Sequence, residues 1–251
     1  MRIDPAKCIG CGRCHPSCTM GAILYARYGR SGRLISAVDE DECVDCGVCE
    51  RSRVCPAGAL FQPVHPWPRS IRGTFSNPLA EHKETRVPGR GTAEMKTNDI
   101  TGRYRYGYTG VNIELGRPGT GARLRDLEKV TTALAGLGIE FEAANPVTSL
   151  LADPRTGRVK PEALDEKVLS LIVELSVENP RVPELVRLIE GVARGLETVC
   201  SLDVISRAGP DGSAPSEELF PAIGQPLSRN GKTNLGLGRA TNPAGTGGAA
   251  T

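Results

Sequence analysis

The chain has 251 residues, a net charge of +2 and aromatics at only 4%, with 30 glycines and 19 prolines. Near-neutral charge removes any bulk electrostatic case for nucleic acid or a membrane surface as partner, and the longest apolar run, Val168–Val173, is broken by Ser170 and too short to span a bilayer. The length leaves room for more than one domain, with long loops around modest cores.

Eight of the nine cysteines fall in the first 55 residues. Cys8, Cys11, Cys14 and Cys18 form C-x2-C-x2-C-x3-C, and Cys43, Cys46, Cys49 and Cys55 form C-x2-C-x2-C-x5-C-P. The flanks repeat as well. Ile3-Asp4 stands before Cys8 as Val38-Asp39 stands before Cys43, and Met20-Gly21-Ala22-Ile23 mirrors Ala57-Gly58-Ala59-Leu60. Two copies of a strand, ligand loop and turn predict a pseudo-twofold domain, with small residues that let backbone amides approach sulfur. Disulfides require an oxidising compartment, and no charged-plus-apolar leader opens the sequence. Structural zinc uses C-x2-C pairs in tetrahedral sites, for which the third cysteine of each trio is surplus. The pattern therefore favours iron–sulfur over zinc or disulfides. Cys200, in an apolar alternating stretch, reads as a small buried hydrophobe.

These motifs resemble the bacterial-type two-[4Fe–4S] ferredoxin family over residues 1–62. The resemblance implies two [4Fe–4S] clusters with crossed ligation, each trio taking its fourth thiolate from the other motif. One cluster would be held by Cys8, Cys11, Cys14 and Cys55, the other by Cys43, Cys46, Cys49 and Cys18. Two departures stand out. Thr19 replaces the proline that usually follows the fourth cysteine, and the Arg51–Val54 loop lengthens the second motif. Neither removes a ligand, though solvent access and hydrogen bonding set the potential. Reduced thiols without a leader place the protein in the cytoplasm, at low oxygen.

Within this domain Ala22–Arg27 and Arg33–Val38 predict a hairpin around Gly29-Arg30-Ser31-Gly32. Asp39–Glu42 is either a solvated turn or a docking surface for a basic redox partner. His15 is either a donor to a cluster sulfide or a surface side chain. Residues 63–102 carry Pro63, Pro66, Pro68, Pro78 and Pro88 and no period, which predicts either an extended linker, with Trp67 and Phe75 as anchors against a neighbouring unit, or a disordered connector.

Residues 103–207 read as strand (Arg103–Leu115), helix (Leu124–Leu137), strand (Ile139–Ala143), strand (Leu169–Val177), helix (Val182–Leu196) and strand (Val199–Ile205). That order is βαββαβ, a split sandwich of four antiparallel strands under two helices, and by topology it resembles small ACT-type regulatory domains. Asn145–Lys167 is long for a hairpin loop, with a turn at Asp153–Gly157 and a short helix from Pro161. Residues 208–251 read as a flexible tail. The whole is an α+β chain.

The glycine loop before Leu124 lacks the Walker and G-x-G-x-x-G patterns. Arg117, Arg123 and Arg125 remain as a candidate carboxylate or phosphate clamp, beside the plainer reading of a tight turn and helix entry. Lys96-Thr97-Asn98 and Lys232-Thr233-Asn234 repeat a tripeptide, each followed by Gly-Arg (Gly102-Arg103, Gly238-Arg239). The functional expectation is single-electron transfer through both clusters, as the ferredoxin-like subunit of a larger oxidoreductase or toward a separate redox partner protein. Pairing of copies through the C-terminal sheet edge is a further expectation. A regulator that senses redox state or a small anion, and a self-contained reductase, are the alternatives.

Overall fold

The computed structural model describes residues 1–92 and 104–228. Both Lys-Thr-Asn copies and their Gly-Arg partners lie outside the described residues. The N-terminal unit contains β1 (Arg2–Ile3), β2 (Ile23–Tyr28), β3 (Arg33–Val38), α1 (Val48–Arg51) and β4 (Leu60–Phe61). β1 pairs antiparallel with β4, closing the unit, and β2 pairs with β3 from Ile23 opposite Val38 to Tyr28 opposite Arg33. The hairpin lies on the first cysteine loop, where Gly10 approaches the Leu34 carbonyl so closely that a Cβ would sit 2.4 Å from its oxygen.

The chain from residue 63 to 92 is not an extended linker. It carries α2 (Ser70–Ser76), whose Ile71 and Phe75 are buried in the core of the C-terminal unit. The prolines flank this helix and do not interrupt it. Seven residues with one i, i+4 apolar pair are too short to display a period, so composition was a poor guide. Phe75 also meets His82 edge-on, with ring centroids 4.8 Å apart. Trp67 stays half-exposed, Lys160 above its ring and Glu162 facing its Nε1.

β5 (Tyr108–Leu115), β6 (Ala122–Arg123), α3 (Leu124–Gly136), β7 (Leu151–Asp153), β8 (Arg158–Val159), β9 (Lys167–Val168), β10 (Leu171–Glu178), α4 (Val182–Ala193), β11 (Cys200–Ser206) and α5 (Pro215–Ala222) complete the described chain. The main sheet has three strands, with β5 between β10 and β11 and both pairings antiparallel. Ile139–Ala143, expected as a further strand, makes one isolated bridge between Phe141 and Leu175 and a Glu142 amide bond to the Glu174 carbonyl. The Asn145 side chain then takes Glu174 Oε2 at 2.7 Å and the chain turns away through Pro146.

Period-two alternation decides the core. Val111, Ile113 and Leu115 of β5, with Leu171, Val173, Leu175 and Val177 of β10, pack with Leu124, Leu127, Val130 and Leu134 of α3 and with Leu185 and Ile189 of α4. The tail also departs from expectation over its described part, because α5 buries Phe220 against this core. Pro215 at the first turn with Glu217 and Glu218 is a helix-start signal that a Pro/Ser/Gly reading passes over. Among the described residues no helix is long and apolar enough to cross a membrane.

The other face of β5 carries two buried polar side chains, Asn112 and Glu114. Glu114 is flanked by Arg90 at 2.8 Å and Arg117 at 2.7 Å. Burial pushes the Glu114 carboxyl up, but the two guanidiniums outweigh it and hold it below the usual carboxylate range. A carboxyl depressed in the folded state contributes stability that is present above its unfolded value and lost as pH falls through the folded one. Glu114→Gln is therefore expected to cost about 1.5–3 kcal/mol at pH 7. Its thermal stability should converge with that of the parent as pH falls below about 4. A thermal melt series across that range checks both limbs.

Candidate metal centres

Each cysteine trio is a tight loop, and the unit's closure brings to each trio the fourth cysteine of the other motif. One cavity is lined by Cys8, Cys11, Cys14 and Cys55, together with Ile3, Ile9, Ala57 and Leu60. A second is lined by Cys18, Cys43, Cys46 and Cys49, together with Met1, Met20, Ile23 and Val44. Among the described residues no group of three Cys, His, Asp or Glu side chains is gathered tightly enough to hold a single metal ion. A mononuclear zinc would need its sulfurs within about 2.3 Å of one point. Four thiols spread around an apolar cavity fit a larger inorganic core instead.

Backbone amides are already aimed at the sulfurs. Ala22 N–H donates to Cys18 Sγ at 3.1 Å and Ala59 N–H to Cys55 Sγ at 3.3 Å, at mirrored positions of the repeat. Ser36 N–H donates to Cys8 Sγ at 3.3 Å. Burial pushes the Cys49 thiol up to about 12, reinforced by Cys46, Cys18 and Cys43 beside it. Burial raises Cys43 and Cys14 in the same direction. Burial would raise Cys55 too, but the amides of Ala57 to Leu60 outweigh it and hold that thiol below its ordinary value. Such thiols ionise on binding cationic iron, so loading releases protons.

Several groups around the cavities carry no sequence signal of their own. Thr19, noted only as a missing proline, puts its Oγ1 3.6 Å from Cys46 Sγ. His15 faces neither cavity directly; it stacks on Tyr25 and lies 3.0 Å from Ser36 Oγ. Asp45, with φ 53°, is buried between two cysteines of the second trio. It accepts from the Met1 ammonium and from Arg69 Nε at 3.0 Å. Burial would raise its carboxyl, but these two cations outweigh that and keep it below the usual range. The lengthened second motif becomes α1, whose Arg51 bonds the Cys46 carbonyl at 2.8 Å and Asn77 at 3.0 Å.

The acidic run is largely occupied by the chain itself. Asp41 pairs with Arg123 at 2.6 Å and Glu42 with Lys167 at 2.5 Å. The hydrogen bond from Arg123 holds the Asp41 carboxyl below its usual range. Buried Arg72 of α2 donates Nη1 to the carbonyls of Glu40, Asp41 and Cys43 at 2.7–3.0 Å, and Nε to Glu166. Leu169 packs against the core around the second cavity, and Gly121 comes close to Met20 of its wall. Of the three arginines expected as an anion clamp, Arg123 and Arg125 meet at Asp165, on its carbonyl and its carboxylate, and Arg123 also pairs with Asp41, while Arg117 is on Glu114. Cys200 is half-buried against the core, and burial raises its thiol.

Comparison with known proteins bears on this arrangement. The 4Fe–4S dicluster domain family matches residues 1–61. An uncharacterized ferredoxin of Methanocaldococcus jannaschii is 34% identical over 59 residues, which is 24% of this chain and 71% of that protein. The chain belongs to the dicluster ferredoxin family. Its ferredoxin unit carries two [4Fe–4S] clusters and serves iron–sulfur electron transfer. No solved structure matches the chain.

Proposed function

We propose that this ferredoxin is the electron-transfer subunit of a larger cytoplasmic oxidoreductase. Cys8, Cys11, Cys14 and Cys55 ligate one cluster in this reading, and Cys43, Cys46, Cys49 and Cys18 the other. The clusters, when bound, take up and release single electrons; the chain supplies ligands, amide donors and a dry wall. The observation that carries the reading is asymmetric cover. The second cavity abuts the C-terminal unit through Leu169, Met20 and Gly121, whereas the loop of the first cavity keeps Cys11 exposed. One cluster thus faces outward and the other faces the chain's own second unit, which suits a conduit.

We read that second unit as a reduced split βαβ sandwich. With the Phe141 bridge counted as the edge, the strand order β11, β5, β10, edge agrees with that topology. The test is anaerobic purification from the native source with iron and sulfide counts, reductive titration and identification of stably bound chains. Two reducible clusters co-purifying with a catalytic partner support the reading. Two clusters in a chain that turns over a substrate alone would overturn the subunit role.

A ligand-sensing role has one observation in its favour. Asn112 is buried on the polar face of the sheet and its Oδ1 has no partner among the described residues. A shift in melting temperature with a small carboxylic acid, absent in Asn112→Ala, would favour it.

A further inference from the structure

The charge of the ferredoxin unit is split along the sequence. From Pro5 to Val38 there are five lysines and arginines and no aspartate or glutamate; from Asp39 to Glu50 there are six acids and no lysine or arginine. The acidic half meets the chain's own Arg69, Arg72, Arg123 and Lys167, so much of its charge is already matched.

The basic half has no such cover. Arg33 bonds the carbonyls of Cys8 and Pro5, and Arg27 that of Gly32. Arg13, Arg27, Arg30 and Arg33 have no carboxylate partner among the described residues. The same stretch carries exposed apolar groups, Ile9 at 64%, Tyr25 at 54% and Leu34 at 46%, and Tyr25, Arg27 and Leu34 lie on one face of the hairpin, Arg27 opposite Leu34 in register. This face abuts the first cysteine loop: Tyr25 Oη is pressed against Gly12, and the Leu34 carbonyl against Gly10. Exposed Cys11 sits between those two glycines.

We propose that this face of the hairpin and first cysteine loop docks an acidic redox protein, which exchanges electrons at the outward-facing cluster. The inference rests on the proposed electron-transfer role. Unmatched guanidiniums around an apolar centre are the anatomy of a protein interface with a polar rim. Complementary charge on the partner raises its encounter rate. A nucleic acid would need cations spaced to follow phosphates, and here Arg27 stands beside Leu34 and Tyr25 on one hairpin face. Of the two readings of Asp39–Glu42, a docking surface for a basic partner is disfavoured by the chain's own cations at Asp41 and Glu42.

The test uses the full chain, loaded anaerobically, its iron and sulfide counted and its clusters photoreduced before mixing. A chain that fails these counts or cannot be reduced refutes the electron-transfer reading itself; one that passes tests docking alone. Stopped-flow oxidation is followed with two one-electron acceptors of opposite charge, the acidic copper protein plastocyanin and the basic haem protein cytochrome c. In each case one electron leaves a reduced cluster and reduces the acceptor's metal.

The plastocyanin rate is expected to fall steeply as salt rises. In Arg27→Glu/Arg30→Glu it should fall by about tenfold or more at low salt. Arg27→Gln/Arg30→Gln, which preserves the hairpin more conservatively, should show a smaller loss in the same direction. Faster reaction with cytochrome c at low salt, or an unchanged plastocyanin rate in both variants, overturns the proposal. So does tight binding of a single-stranded oligonucleotide that these variants abolish.

Discussion

Cys18→Ser is expected to halve the iron and sulfide bound by the chain while the remaining cluster keeps its reduction behaviour. Cys18 follows the first trio in sequence but lines the cavity of the second, with Cys43, Cys46 and Cys49. Serine retains the amide contact from Ala22 but is a poor ligand for iron, and the apolar wall offers no substitute. Stoichiometry can identify the affected cluster without assigning any spectrum. Under crossed ligation, Cys18→Ser/Cys46→Ser removes two ligands from one cluster and still leaves half the iron. Cys18→Ser/Cys11→Ser removes one ligand from each and should leave little. The reverse ranking would refute the crossed assignment, because it would put Cys18 and Cys11 on the same cluster. Cys55→Ser combined with Cys11→Ser provides the mirror experiment.

The ferredoxin unit is legible in sequence because its signal is local and chemical. Cysteines at fixed short spacing have few other uses, and the flanking repeat doubles the information. α3 and α4 are legible for a different reason: Leu124, Leu127, Val130 and Leu134, then Leu185 and Ile189, recur at the spacing that buries one helix face. The contacts that fix the two units together have no local signal. Arg123 and Asp41 are 82 residues apart, and Arg72 and Glu166 are 94 apart. Nothing near Asp39–Glu42 indicates that its charge is met from within the chain. The arginines read as an anion clamp have the right chemistry for carboxylates, and carboxylates of the same chain already occupy them. Asp45 is illegible for a related reason. One aspartate inside a cysteine loop looks like solvated charge until the fold buries it against an ammonium and a guanidinium.

Arg72 should be the largest single contributor to the joint between the units. Its side chain is 5% exposed and that of Glu166 is 13% exposed. Removing the cation would leave a shielded carboxylate and the Asp41 carbonyl without their donor, while the Glu40 and Cys43 carbonyls would keep Arg69. Breaking a buried pair in this way costs about 3–5 kcal/mol, mostly through the uncompensated partner. The pair of Arg123 with Asp41 is the natural control, because Asp41 is 68% exposed. Exposed pairs contribute about 0–1 kcal/mol and are screened by salt. Cluster loss makes unfolding irreversible, so the useful measure is a rate: decay of visible cluster absorbance in guanidinium under anaerobic conditions. Arg72→Met should accelerate that decay by roughly tenfold to a thousandfold, depending on how much of the joint has broken in the transition state. Arg123→Gln should change it by no more than about fivefold. In Arg72→Met/Glu166→Gln part of the loss should be recovered, because no buried charge is stranded; the Asp41 carbonyl stays without its donor, so recovery is incomplete. Equal rates for Arg72→Met and Arg123→Gln would mean that the carbonyl cage around Arg72 is not what holds the second unit against the inner cluster.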